Sequence, residues 1–209
     1  KVKLTETNGK FAFTMPASKV TVEAAFTAIA GKAENPFTDV PGDAYFADAV
    51  IWAVGKGITS GTTATTFSPN ASCTRGQMVT FLWRAAGSPA SASSKMPFTD
   101  VPVTAYYYDA VLWAVEQGIT SGTTATTFSP NATVTRAQAV TFLWRAAGSE
   151  VIQTAAPFVD VKYGMYYYNA VAWAVENDIT NGTSQTTFSP TQNCTRAQIV
   201  TFIWRYMGA

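Results

Sequence analysis

Three arginines raise the first chemical question. They lie in Thr74-Arg75-Gly76-Gln77, Thr135-Arg136-Ala137-Gln138 and Thr195-Arg196-Ala197-Gln198, spaced 61 and 60 residues apart. Each tetrad follows a Phe-Ser-Pro and precedes an apolar run. Thr-x-x-Gln before such a run predicts a capping box. The Thr hydroxyl accepts from an N–H of the first helical turn, and the Gln side chain reaches back to the Thr N–H. That accounts for Thr and Gln, but not for Arg. A cation in the first turn opposes the positive end of the helix dipole, and all three copies carry one. A guanidinium beside free backbone N–H groups is suited to holding an anion. Arg75, Arg136 and Arg196, with Gln77, Gln138 and Gln198, are therefore candidate ligand-binding residues.

Composition narrows the alternatives. The chain has 209 residues, 47% hydrophobic and 13% charged, with a formal net charge of +1. That balance suits a packed globular chain rather than a disordered one. It also lacks the basic excess of a nucleic-acid binder. No apolar run reaches the ~18 residues of a membrane span, so no membrane insertion is expected. The sequence opens on Lys1 rather than Met. The expectation is a piece of a longer protein, with any export signal upstream. Histidine is absent, which removes the commonest general base and metal ligand; no metal or other cofactor is expected. Cys73 and Cys194 each precede a Thr-Arg, and Val134 fills that place in the middle copy. Equivalent positions in successive repeats rarely meet, so two buried free thiols are expected rather than a disulfide.

The elements that must position the arginines recur with a period of about 60 residues. Residues 1–31 differ from the rest. Phe11–Met15 and Val20–Ala24 alternate in steps of two, predicting a short β-hairpin or the last strands of an upstream β-rich domain. Residues 32–36 read as a linker, and the repeats span 37–88, 98–149 and 158–209. Each opens with Phe-x-Asp-Val at Phe37, Phe98 and Phe158. A helix follows, with an apolar stripe such as Phe46, Ala49, Val50, Ala53 and Val54. Gly57 and Gly118 supply its left-handed end, and Asp178 stands there in the third copy. A Thr-rich loop leads to Phe-Ser-Pro. The second helix starts at the capping box, with Met78, Val79, Leu82, Trp83 and Ala86 as its stripe. Gly87, Gly148 and Gly208 are expected to close these helices.

Phe-x-Asp-Val, a helix, Gly-Ile-Thr-x-Gly-Thr, Phe-x-Pro and Thr-Arg-Ala-Gln together resemble the S-layer homology domain, over residues 37–208 and in all three repeats, with Gly76 for Ala in the first and Asp178 for the leading Gly in the third. The family's usual Thr-Arg-Ala-Glu has Gln in place of Glu here. The resemblance implies a mainly α fold: a pseudo-threefold unit with a central three-helix bundle and three prongs, here a monomer preceded by the β segment. It also implies a non-catalytic anchor on a bacterial cell surface. Grooves between prongs would bind secondary cell wall polysaccharide, often through a pyruvate ketal on a sugar.

Several residues support two readings. Gly61, Gly122 and Gly182 provide a turn with positive φ, or a close backbone approach to a sugar to which Thr62, Thr123 and Thr183 donate. Trp83, Trp144 and Trp204 lie on the stripe of the second helix and are expected in the core. Trp52, Trp113 and Trp173 lie off the first helix's stripe. They pack a second face or flank a groove and stack on sugar; packing is favoured, and all three stay among the candidates. Asp39, Asp100 and Asp160 read as loop caps that accept backbone N–H bonds. A glycosidase needs two carboxylates facing one bond, and no such pair stands out. The competing functional reading is a structural spacer or oligomerisation module without affinity for glycan.

Overall fold

A computed structural model describes residues 34–208, together with two short strands near the N-terminus. The chain divides into two units, 1–32 and 33–209. In the first, β1 (Glu6–Thr7) pairs antiparallel with β2 (Lys10–Phe11), Glu6 opposite Phe11. The hairpin expected over 11–24 lies outside the described residues apart from Phe11.

The second unit is mainly helical. Its six helices among the described residues are α1 (Ala47–Gly55), α2 (Arg75–Ala85), α3 (Tyr108–Glu116), α4 (Arg136–Ala146), α5 (Tyr168–Glu176) and α6 (Arg196–Met207). None is long and apolar enough to cross a membrane. The capping boxes of α2, α4 and α6 form as the sequence dictates, with Thr Oγ1 accepting from Gln N–H and Gln Oε1 accepting from Thr N–H. Gly57 and Gly118 adopt positive φ, as does Asp178 at 53°. Gly87 and Gly148 do the same at the ends of α2 and α4, but Gly208 is right-handed at φ −113°.

Packing is cyclic. The second helices α2, α4 and α6 touch one another. Each first helix packs on the second helix of the preceding repeat: α3 on α2, α5 on α4, and α1 on α6. The two helices of one repeat make no such contact with each other. They are joined instead through their loops, where Phe37 meets Phe67 at 5.8 Å between ring centroids, and Phe98–Phe128 and Phe158–Phe188 repeat the contact.

Backbone bonds close the same circle. The Cys73 N–H donates to the Cys194 carbonyl at 2.9 Å, Val134 N–H to Cys73 at 2.9 Å, and Cys194 N–H to Val134 at 2.8 Å. Equivalent positions were expected to stay apart, yet here they meet, because three chain segments converge just ahead of the three central helices. Single antiparallel bridges surround this ring at Ser72–Thr195, Thr74–Thr133 and Thr135–Asn193. The two thiols are free and fully buried, and burial pushes each up to about 12.

One set of tryptophans departs from expectation and the other packs as favoured. Trp83 and Trp144 are half-buried, and their indole N–H groups hold the spacers by donating to the Pro89 and Glu150 carbonyls at 2.9 and 2.6 Å. Trp204 is half-buried as well. Trp113 and Trp173 are core residues. A first helix is covered on two sides, by its own loops and by the neighbouring second helix, so residues off its apolar stripe are buried too.

Candidate functional site

The site is built outward from the Phe-x-Asp-Val aspartates. Asp39 Oδ1 accepts from Phe67 N–H at 2.8 Å, and Oδ2 accepts from Ser68 N–H at 2.7 Å. Asp100 and Asp160 repeat both bonds on their own loops. Each carboxylate is therefore a clamp. It holds Ser68, Ser129 or Ser189 in the left-handed region, at φ 57–59°, a conformation serine adopts only when its surroundings enforce it. The preceding Phe carbonyl is thereby offered to the next element around the ring.

That element is an arginine of another repeat. Arg75 Nε donates to Phe128 O at 2.8 Å, Arg136 Nε to Phe188 O at 2.8 Å, and Arg196 Nε to Phe67 O at 2.9 Å. Each guanidinium also lies over two phenylalanine rings; Arg196 Cζ is 4.8 Å from Phe67 and 5.4 Å from Phe81. All three side chains are only 3% exposed. Burial lowers their pKa, but an arginine remains charged at neutral pH.

The expected free N–H groups at the helix starts are not free. Arg75 N–H donates to Ala132 O and Gly76 N–H to Pro130 O, both at 2.9 Å, and α4 and α6 make the equivalent bonds. The helix termini are occupied by the docking of one repeat on the next, so they offer no anion site. What remains is a single guanidinium nitrogen. Nη2 of Arg75 and of Arg196 is buried without any hydrogen-bond partner. Nη2 of Arg136 has only Thr180 Oγ1, at 3.5 Å. Leaving such a donor unpaired is costly.

Arg196 and Arg136 line two grooves that each draw on all three repeats. Groove 1 has a volume of about 180 Å³. One wall is the loop Thr59–Gly61, and a second is the α2 face carrying Gln77, Thr80 and Arg84. Tyr106 of repeat 2 and Arg196 of repeat 3 complete it. Groove 3, about 440 Å³, uses the loop 180–183, the α6 face carrying Gln198 and Arg205, Tyr45 of repeat 1 and Arg136 of repeat 2. At the third interface Arg75 Cζ lies 5.2 Å from the Phe142 ring, and Tyr166 feels the charges of both Arg145 and Arg75.

The remaining candidates divide. Gly61 is at φ 87°, and a Cβ there would lie 2.4 Å from Phe37 Cε1 and 2.6 Å from Thr66 O; the turn alone demands glycine. Gly122 and Gly182 are equally crowded. Gln77 and Gln198 line their grooves while serving as caps. The hydroxyls of Thr62, Thr123 and Thr183 are engaged within their own loops, each 2.7 Å from the Ser68, Ser129 or Ser189 hydroxyl; of these, Thr183 also lines groove 3. Trp52, Trp113 and Trp173 line neither groove 1 nor groove 3, for the packing reason given above.

Sequence reasoning passed over Arg84, Arg145 and Arg205, each of which donates from Nη1 to the Ile58, Ile119 or Ile179 carbonyl at 3.0–3.2 Å. It also passed over the half-exposed Tyr45, Tyr106 and Tyr166. Both sets recur once per repeat, and that recurrence was the available signal.

The model of the S-layer homology domain matches residues 36–79, 97–140 and 157–200, and the chain belongs to that family. Among curated proteins, it is 38% identical over 109 residues to an endoglucanase of Bacillus sp. (strain KSM-635), covering 52% of this chain and 11% of that protein. It is 32% identical over 139 residues to the surface-layer 125 kDa protein of Lysinibacillus sphaericus, covering 66% and 12%. It is 28% identical over 194 residues to the S-layer protein of Bacillus thuringiensis subsp. finitimus, covering 91% and 23%. The chain thus spans less than a quarter of each of these relatives.

Proposed function

We propose that residues 37–208 form a pseudo-threefold, non-catalytic module that tethers a longer protein to a bacterial cell surface. It grips an anionic wall polysaccharide in its inter-repeat grooves. The observation that carries this reading is the buried, unpartnered Nη2 of Arg75 and of Arg196, the latter residue lining groove 1. A carboxylate on a sugar, such as a pyruvate ketal, would accept from Nη2 and from the half-buried Arg84 or Arg145. Tyr106 and Tyr166 offer ring faces for the apolar side of a sugar. The capping Gln and the buried Thr59 or Thr120 stand close enough to meet its hydroxyls.

A spacer module would use the arginines only for docking repeats. The Nε bonds and ring contacts suit that role, but it leaves the two orphaned nitrogens unexplained. The relatives fit an anchor better, since stretches of this chain match proteins named as S-layer proteins and one named as an endoglucanase.

The test is calorimetric titration of purified wall polymer into the full chain, with native polymer and with polymer stripped of its ketal-linked carboxylates by mild acid. A triple Arg75→Lys, Arg136→Lys, Arg196→Lys variant keeps a donor for each Phe carbonyl but lacks Nη2. Stripping or substitution is expected to weaken binding roughly tenfold or more. Equal affinities throughout, with folded proteins, would eliminate the arginines as binding determinants.

A further inference from the structure

Cys73, Val134 and Cys194 meet in one backbone ring, and the two cysteines belong to repeats 1 and 3. Repeat 2 is tied to each neighbour by a spacer, which Trp83 or Trp144 holds by donating to the Pro89 or Glu150 carbonyl. Repeats 1 and 3 are joined by the chain only through repeat 2. Their seam rests on α1 against α6, on the Arg196 bond to Phe67 O and on the backbone ring. The cysteines face each other at this seam. Ser72 and Thr195 form an antiparallel bridge, so Cys73 and Cys194 are the next opposed pair in the same register, with both side chains on one face. The Cys73 N–H donates to the Cys194 carbonyl at 2.9 Å. Residues opposed in this way have Cα atoms about 5.5 Å apart, inside the range of about 4.4–6.8 Å that a disulfide spans. Both side chains are fully buried.

We propose that Cys73 and Cys194 are a latent cross-link: oxidation joins their sulfurs and locks repeat 1 to repeat 3, closing the ring covalently. The chemistry is thiol–disulfide exchange with a small-molecule disulfide. The thiolate of one cysteine attacks that disulfide and releases one small thiol. The thiolate of the other attacks the resulting mixed disulfide and releases the second. Two protein thiols and one small disulfide thus become a protein disulfide and two small thiols, which carry away both protons. Burial pushes each cysteine up to about 12, and a buried thiol meets no reagent while the molecule is closed. Exchange therefore proceeds while the seam is open, during folding or when repeat 1 parts from repeat 3. Val134 fits the same reading. The chain already joins repeat 2 to both neighbours, so its slot needs no sulfur and takes an apolar residue. Cysteine acting only as a small buried hydrophobe gives no reason for sulfur at these two positions and not at the third. A cell-surface location supplies oxidising conditions, and the cross-link is independent of any affinity for glycan.

The test refolds the full chain from denaturant, once in excess reductant and once in a mixture of oxidised and reduced glutathione. The second sample should be a monomer lighter by two hydrogens, with Cys73 and Cys194 in one cross-linked peptide by mass spectrometry. The bond encloses roughly 120 residues of chain, so its Tm should lie about 4–16 °C above that of the reduced sample. Cys73→Val with Cys194→Val should melt at one temperature in both buffers. Should that variant fail to fold, the two samples of the unsubstituted chain decide the matter between them. Thiols that stay free in the glutathione mixture, sulfurs linked between chains or capped singly by glutathione, or a cross-linked monomer that melts no higher than the reduced one would each overturn the inference.

Discussion

Replacing Arg196 with alanine should cost the protein stability as well as ligand. The truncation removes the donor to Phe67 O at 2.9 Å, and a buried carbonyl left unpaired costs about 1–3 kcal/mol. It also takes the cation from the Phe67 and Phe81 faces, worth about 0.5–2 kcal/mol where water is excluded. Against these stands the relief of no longer burying a charge, the effect that lowers the pKa of this group. The net expectation is a loss of about 1–4 kcal/mol, or a fall in Tm of roughly 2–16 °C for a chain of this size. Urea and thermal unfolding of Arg196→Ala beside wild type would measure it. Arg196→Lys, which retains a donor for the carbonyl, should recover most of the loss. A change below about 0.5 kcal/mol, the range of ordinary surface substitutions, would refute the claim that the arginine locks repeat 3 to repeat 1.

Other consequences follow from the cyclic packing and the buried groups. Residues 98–149 alone contain α3 and α4, which do not pack on each other, so the isolated repeat should show no cooperative unfolding by circular dichroism. Gly61→Ala forces a left-handed alanine with its Cβ 2.4 Å from Phe37 Cε1; it should lower stability by at least about 2 kcal/mol, read by denaturant titration. Burial raises Cys73 and Cys194 from 9.0 to about 12, so the folded state holds protons that the unfolded state releases. Their contribution to stability is complete below about pH 9 and is lost as pH rises toward 12. Cys73→Val with Cys194→Val, which copies Val134, should flatten that alkaline decline, and thermal melts at pH 8 and pH 10.5 would show it.

The repeat period, both helices of each repeat and the capping boxes were legible because they are local. A Thr and a Gln three residues apart determine their own cap, and a left-handed glycine marks its own helix end. The arginines were legible as a puzzle but not as a solution. Sequence reasoning placed them beside open helix termini. The structure fills those termini with carbonyls from another repeat and sends each guanidinium across the interface, to a residue as many as 129 positions away. The same non-locality hid the ring of Cys73, Val134 and Cys194, and it left Trp83, Trp144 and Trp204 only half-buried. A helical stripe shows which face meets one neighbour, and here the first helices have neighbours on two sides. Tyr106 was missed because Tyr107 and Tyr108 follow it; only the fold shows which of the three faces groove 1.

The central claim concerns Nη2 of Arg75 and of Arg196, and side-chain NMR can observe it. With 15N-labelled arginine in the full chain, the guanidinium signals of Arg75 and Arg196 would be followed while native wall polymer is added. Binding through the grooves predicts slowed proton exchange and a shift at both Nη2 groups, with no comparable change when the ketal carboxylates have been removed. Polymer that binds while both Nη2 signals stay unchanged would contradict the account.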